Sequence, residues 1–117
     1  MEKSNCKISR WQLIKRELNN LEPKDFLESF YRHPDAILID VRTAEEYGAH
    51  HLDGAINIDY LAPDFWDCME ELDVEQTYFV YCRSERRSIR ACRLMQNGGF
   101  DNVFNLSGGL RSMDKVS

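Results

Sequence analysis

No stretch of these 117 residues is apolar over the roughly 18–20 positions that a membrane-spanning helix needs. There is no basic surplus either: the formal net charge is −5. Nucleic acid and anionic membrane both reward a basic surface, so neither is expected as the main partner. The four cysteines, Cys6, Cys68, Cys82 and Cys92, contain no C-x-x-C pair. Zinc ribbons and thioredoxin-type redox motifs therefore lack support. The opening residues Met1-Glu2-Lys3-Ser4-Asn5 are polar and do not read as a secretory leader. The expectation is a reducing cytoplasm with free thiols. Internal repeats and low-complexity linkers are also lacking. What is present is a 43% apolar chain, long enough for one domain with a single hydrophobic core.

Along the chain, helical and extended patterns alternate. Ser9 and Gln12 have capping-box spacing, and Trp11, Ile14, Leu18 and Leu21 recur at helical intervals, which predicts a helix over about 10–20. Pro23 suits the first turn of a second helix, with Phe26, Leu27 and Phe30 inward and Pro34 beyond its end. Residues 36–41 form a short apolar run ending at Asp40 and Val41, as in a strand buried on both faces. Thr43 and Glu46 predict a capped helix over about 44–50. A strand at 55–58, an amphipathic helix within 61–72, a strand at 78–81, a helix over about 86–97 and a strand at 103–106 follow. This alternation predicts an α/β domain with a mainly parallel sheet of four to five strands and helices on both faces. Ligands then belong at the carboxyl ends of the strands, where Cys82 and the pair Asp40 and Arg42 fall.

The stretch Tyr78-Phe79-Val80-Tyr81-Cys82-Arg83-Ser84-Glu85-Arg86-Arg87-Ser88 carries the chemistry. A strand delivers a thiol into a short loop at a helix N-terminus. Backbone N–H groups and the helix dipole converge there, a setting that favours the thiolate, which is the nucleophilic form. Residues 83–93 hold five arginines against one glutamate, a local basic cluster on an acidic chain. Arg90 and Arg93 read as a solvated helix face; Arg83, Arg86 and Arg87 stand beside Cys82. The other histidines and cysteines have simpler readings. His50-His51 lack an apparent third metal ligand, Cys92 falls on the buried side of its helix, Cys68 reads as structural, and Cys6 belongs to a tail.

Four segments, in register, resemble the rhodanese-like (sulfurtransferase) domain family, single-domain type. They are Leu38-Ile39-Asp40-Val41-Arg42 with Glu46-Tyr47; His51 to Ile58; Val80 to Ser88; and Gly99 to Val103 with Leu106-Ser107-Gly108-Gly109. The resemblance covers about Leu21 to Met113. It implies a tail and helix over 1–20 and a rhodanese-like domain over 21–117. It implies that Cys82 accepts a sulfane sulfur as a persulfide. Arg83, Ser84, Glu85, Arg86, Arg87 and Ser88 would then bind substrate through an anion-cradling loop that Arg87 closes. Asp40 is expected to brace a neighbouring loop, and Arg42 to pair with Glu46, both as supporting residues. The implied partners are a small sulfur donor and acceptor, or a thiol protein, with no metal or cofactor required.

Three positions depart from the family pattern. Glu85 stands where glycine is usual, which predicts backbone strain and a weaker attraction for thiosulfate. His50 replaces a glycine, and Met113 falls where a tryptophan is common. Two alternatives to thiosulfate chemistry remain. One is a protein persulfide relay or a regulatory binding module. The other is a cysteine phosphatase of similar fold, whose loop holds five residues between Cys and Arg, whereas Cys82 and Arg87 enclose four.

Overall fold

The computed structural model describes residues 9–113, apart from the side chain of Trp11. Cys6 therefore lies outside the described residues. The elements in order are α1 (Arg10–Arg16), β1 (Asn19–Leu21), α2 (Pro23–Arg32), β2 (Ile37–Asp40), α3 (Ala44–Ala49), β3 (Ile56–Asn57), α4 (Phe65–Glu70), β4 (Tyr78–Tyr81), α5 (Arg86–Asn97), β5 (Val103–Leu106) and α6 (Leu110–Met113). All five strands pair in parallel, in the order β1-β5-β4-β2-β3.

Strand alternation divides the core in two, because successive side chains point to opposite faces. On one face Ile39, Tyr78, Val80 and Val103 pack with Phe65 and Met69 of α4 and with Ile89, Cys92 and Met95 of α5. On the other, Leu38, Phe79, Tyr81 and Leu106 pack with Phe26 of α2, with Leu27 and Phe30 beside it. Helices thus cover both faces, as the continuous apolar run of β4 requires; all four of its residues are buried.

Both capping boxes form, Ser9 with Gln12 and Thr43 with Glu46. Pro23 occupies the first turn of α2. The N-terminal helix is shorter than its spacing predicts. It stops at Arg16, and Asn19–Leu21 pairs instead with β5 as an edge strand. Asn20 accounts for the break, since its side-chain amide donates to the carbonyls of Lys15 (2.8 Å) and Leu18 (3.3 Å). A side chain that satisfies helix-end carbonyls competes with continuation of the helix. The sequence boundary at 20/21 consequently falls inside β1. The terminal helix α6 carries no sequence signal of comparable strength.

Candidate active site

Cys82 stands at the carboxyl end of β4, the central strand, and the chain turns through 83–85 directly into α5. Its Sγ accepts the Ser88 N–H at 3.3 Å and lies 3.5 Å from the Ser88 hydroxyl. The thiol is 1% exposed. α5 runs twelve residues from this point, so the positive end of its dipole faces the sulfur.

Behind the sulfur runs a buried polar chain. Ser88 Oγ donates to Asn105 Oδ1 at 2.6 Å, and Asn105 Nδ2 donates to Asn20 Oδ1 at 2.9 Å. Ser88 and Asn105 are fully buried, so each needs its partner. The sequence reading passed over Asn105, although a lone amide inside Val103-Phe104-Asn105-Leu106 was itself a signal. A polar side chain in an apolar strand must be satisfied by something.

The loop residues divide by direction. Arg83 and Arg86 are exposed. Arg87 turns toward α3 and forms a two-pronged pair with Glu46, at 2.7 and 3.2 Å. Arg87, helped by the Thr43 contacts, holds the Glu46 carboxyl down at about 2, against an ordinary 4.5. Glu85 takes a left-handed conformation, φ 78°, the positive φ its departure from glycine demands. Its carboxylate does not stand unpaired beside the sulfur. It pairs with Lys15 at 2.9 Å and accepts the Gly108 N–H at 2.7 Å.

The expected pairing of Arg42 with Glu46 is corrected. Arg42 doubles back over Asp40, with Nε and Nη2 within 2.7–3.0 Å of its carboxylate. Asp40 and Arg42 are both buried, at 0% and 4% exposure, so each needs the other. The geometric cause is the capping box: Glu46 Oε1 is held by Thr43 and hydrogen-bonds Arg87 at the start of α5. Hydrogen bonding to Asp40 raises the Arg42 guanidinium further. Asp40 does brace a neighbouring loop, through two intermediaries. Arg42 donates to the His50 carbonyl at 2.7 Å. Tyr81 donates to Asp40 at 2.8 Å and accepts the Leu52 N–H. Burial pushes the Tyr81 phenol well up, keeping it a donor.

The 106–111 segment closes the remaining side. Leu110 N–H donates to the Cys82 carbonyl at 2.9 Å and Arg111 N–H to the Arg83 carbonyl at 3.0 Å. A cavity of about 170 Å³ opens beside these contacts, lined by Arg42, His50, Arg83, Leu110 and Arg111. Its rim is cationic. Arg111 was not singled out in the sequence, because its place depends on the unforeseen α6. The two other cysteines among the described residues keep to the background. Burial pushes the Cys92 thiol up, and Cys68 is raised by partial burial beside Asp64, Glu71 and Asp67. His51 stacks on Tyr47 at 3.8 Å, an arrangement that shapes the α3–β3 loop.

A parallel α/β sheet with a thiol at the end of its central strand, cradled by a helix N-terminus, defines a class of cysteine-loop α/β proteins. Within that class, residues 22–115 match the rhodanese-like domain, and the chain belongs to the rhodanese-like sulfurtransferase family. A protein from Allochromatium vinosum named sulfurtransferase is 28% identical over 94 residues, 80% of this chain and 85% of that one. Protein HIGH ARSENIC CONTENT 1, mitochondrial, of Arabidopsis thaliana is 32% identical over 96 residues. The match takes in 74% of this chain and about half (54%) of the Arabidopsis protein's length. The solution structure of the polysulfide-sulfur transferase homodimer of Wolinella succinogenes superposes with a TM-score of 0.77 at 22% identity, over 98% of this chain and 86% of that one. That last likeness concerns the fold.

Proposed function

We propose that the protein transfers a sulfane sulfur from an anionic donor to a nucleophilic acceptor, carrying it as a persulfide on Cys82. The observation that carries this reading is the placement of Cys82 Sγ on the Ser88 N–H, at the head of α5, inside a loop of four residues closed by the Arg87–Glu46 pair. Such a loop is scaled to one sulfur atom, and its donors point where negative charge resides on a thiolate or a persulfide.

In the first half-reaction the Cys82 thiolate attacks the outer sulfur of thiosulfate. The new S–S bond forms as the donor's own S–S bond breaks, and the electron pair leaves with sulfite. In the second, a nucleophile such as cyanide or a thiolate attacks the outer persulfide sulfur, and the Cys82 thiolate is released. Sulfite and thiolate are competent leaving groups, so little proton transfer is required. Arg83 and Arg111 at the cavity rim supply charge for an anionic donor. Arg86 and Arg87 add to that field, while Ser84 and Glu85 shape the loop backbone.

Intact-mass analysis after thiosulfate treatment is expected to show a +32 Da adduct, lost in Cys82→Ser together with thiosulfate:cyanide sulfur transfer. Full transfer by Cys82→Ser would sink the mechanism. An adduct formed from a persulfide donor without thiosulfate turnover would favour a protein relay. Neither activity would favour a binding module.

A further inference from the structure

The family match begins at residue 22, yet one side chain ahead of it bonds the catalytic loop directly and a second bonds the polar chain behind the sulfur. Lys15 of α1 holds Glu85, and Asn20 of β1 terminates the chain of amides and hydroxyls that starts at Ser88. Glu85 is the one non-glycine residue with positive φ among the described residues, and it is 7% exposed. A left-handed non-glycine residue is strained, so its surroundings must hold it. Here they do so from two sides. Glu85 Oε2 meets Lys15 Nζ, and Oε1 accepts the Gly108 N–H. The neighbouring Gly109 lies against the Arg83 carbonyl and the Ser84 nitrogen, so the 107–109 turn and the cysteine loop share one contact surface.

We propose that α1 and β1 form a working wall of the active site, in which Lys15 is a positioning residue for Glu85. Lys15 cancels the charge that a loop carboxylate would otherwise present to an anionic donor, and it keeps Glu85 tied to Gly108 so that the loop keeps its shape. The substrate class this serves is a small dianionic sulfur donor such as thiosulfate. The proposal rests on the sulfur-transfer reading of Cys82. Without Lys15, Glu85 would be a nearly buried carboxylate that keeps the Gly108 N–H but has lost the cation paired with it. Swinging out to water would release Gly108, and staying in place would repel the donor.

The test uses the full chain with Lys15→Met, Lys15→Arg, Glu85→Gln and the double variant Lys15→Met/Glu85→Gln. An uncancelled charge near a dianion predicts a rise in thiosulfate KM of about tenfold in Lys15→Met, with kcat held within about threefold. Lys15→Arg is expected to stay near wild type. The double variant is expected to recover most of the KM, because glutamine still accepts from Gly108 but carries no charge. Hydrogen exchange of the Gly108 amide, followed by NMR, is expected to accelerate about tenfold in Lys15→Met and not in Lys15→Arg. Exchange needs no turnover, so the two readings fail separately. A protein without sulfur transfer whose Gly108 still answers to Lys15 keeps the positioning role and loses only the reaction. Thiosulfate turnover with KM and Gly108 exchange both indifferent to Lys15→Met overturns the positioning role. So does a KM rise that Glu85→Gln fails to reverse.

Discussion

Gly109 shows how narrowly single residues set this site. A Cβ at that position would stand 2.4 Å from the Arg83 carbonyl oxygen and 2.6 Å from the Ser84 nitrogen. Both are backbone atoms, so no rotamer change relieves the clash, and its φ of 69° is already in the glycine-favouring region. Gly109→Ala is expected to lose about 3 kcal/mol or more of stability by denaturant unfolding, along with the sulfur-transfer activity proposed for Cys82. A loss under about 1 kcal/mol would mean that the two loops are not in contact. At this scale the sequence was partly legible. Ser107-Gly108-Gly109 stood out as part of a family segment, and Glu85 as a position where the family has glycine. The partners of Glu85 did not, because Lys15 and Gly108 are distant in sequence and only the folded chain brings them together. The same holds for Arg42. Sequence distance allowed Asp40 or Glu46 as its partner, and only the orientation of the Thr43 capping box decides between them.

At the scale of elements, the joint between α3 and α5 has a built-in dependence on pH. Glu46 lies in the first turn of α3, and Arg87 is the second residue of α5. The folded-state value of Glu46, about 2, lies below its ordinary 4.5, so the pair contributes stability in full above about 4.5. That contribution is lost as pH falls through this window toward 2. Discounted for partial exposure of both side chains, it is on the order of 1–2 kcal/mol. Urea unfolding at pH 6 and pH 3 should therefore show a larger acid loss in wild type than in Glu46→Gln, by a little over half that amount, because pH 3 lies partway through the window. Equal losses would remove the pair from the stability of the joint. The elements themselves were largely legible, since capping boxes, a proline at a helix start and apolar runs act within a few residues. The exceptions are β1 and α6. Three residues of edge strand and one turn of helix carry too little pattern to be read, and both take their form from the chain they pack on.

For the whole molecule, the N-terminal segment is part of the fold. Leu18 is buried in one core cluster with Ile14 packed beside it, and Leu21 packs on the other. β1 also pairs with all but the first residue of β5. Deleting residues 1–21 removes these contacts and bares β5. It is expected to cost about 3 kcal/mol, which for a domain of this size lowers Tm by roughly 10 °C in a thermal scan. An unchanged Tm would make the segment an appendage, as the sequence boundary at residue 20 implied. Fold class and strand direction were legible from alternation alone. The reach of the N-terminus into both cores was not, because it depends on contacts between residues more than 80 positions apart.

The short outer strands also affect how the protein behaves when concentrated. The sheet ends in a strand of three residues on one side and of two on the other, and Asn57 ties the latter to its inner neighbour by donating to the carbonyls of Asp40 and Arg42. A foreign strand seeking to extend the sheet finds little unpaired backbone to template it. A core made of parallel strands, which would be an aggregation hazard if its long rows lay open, is thereby shielded at both margins by brevity.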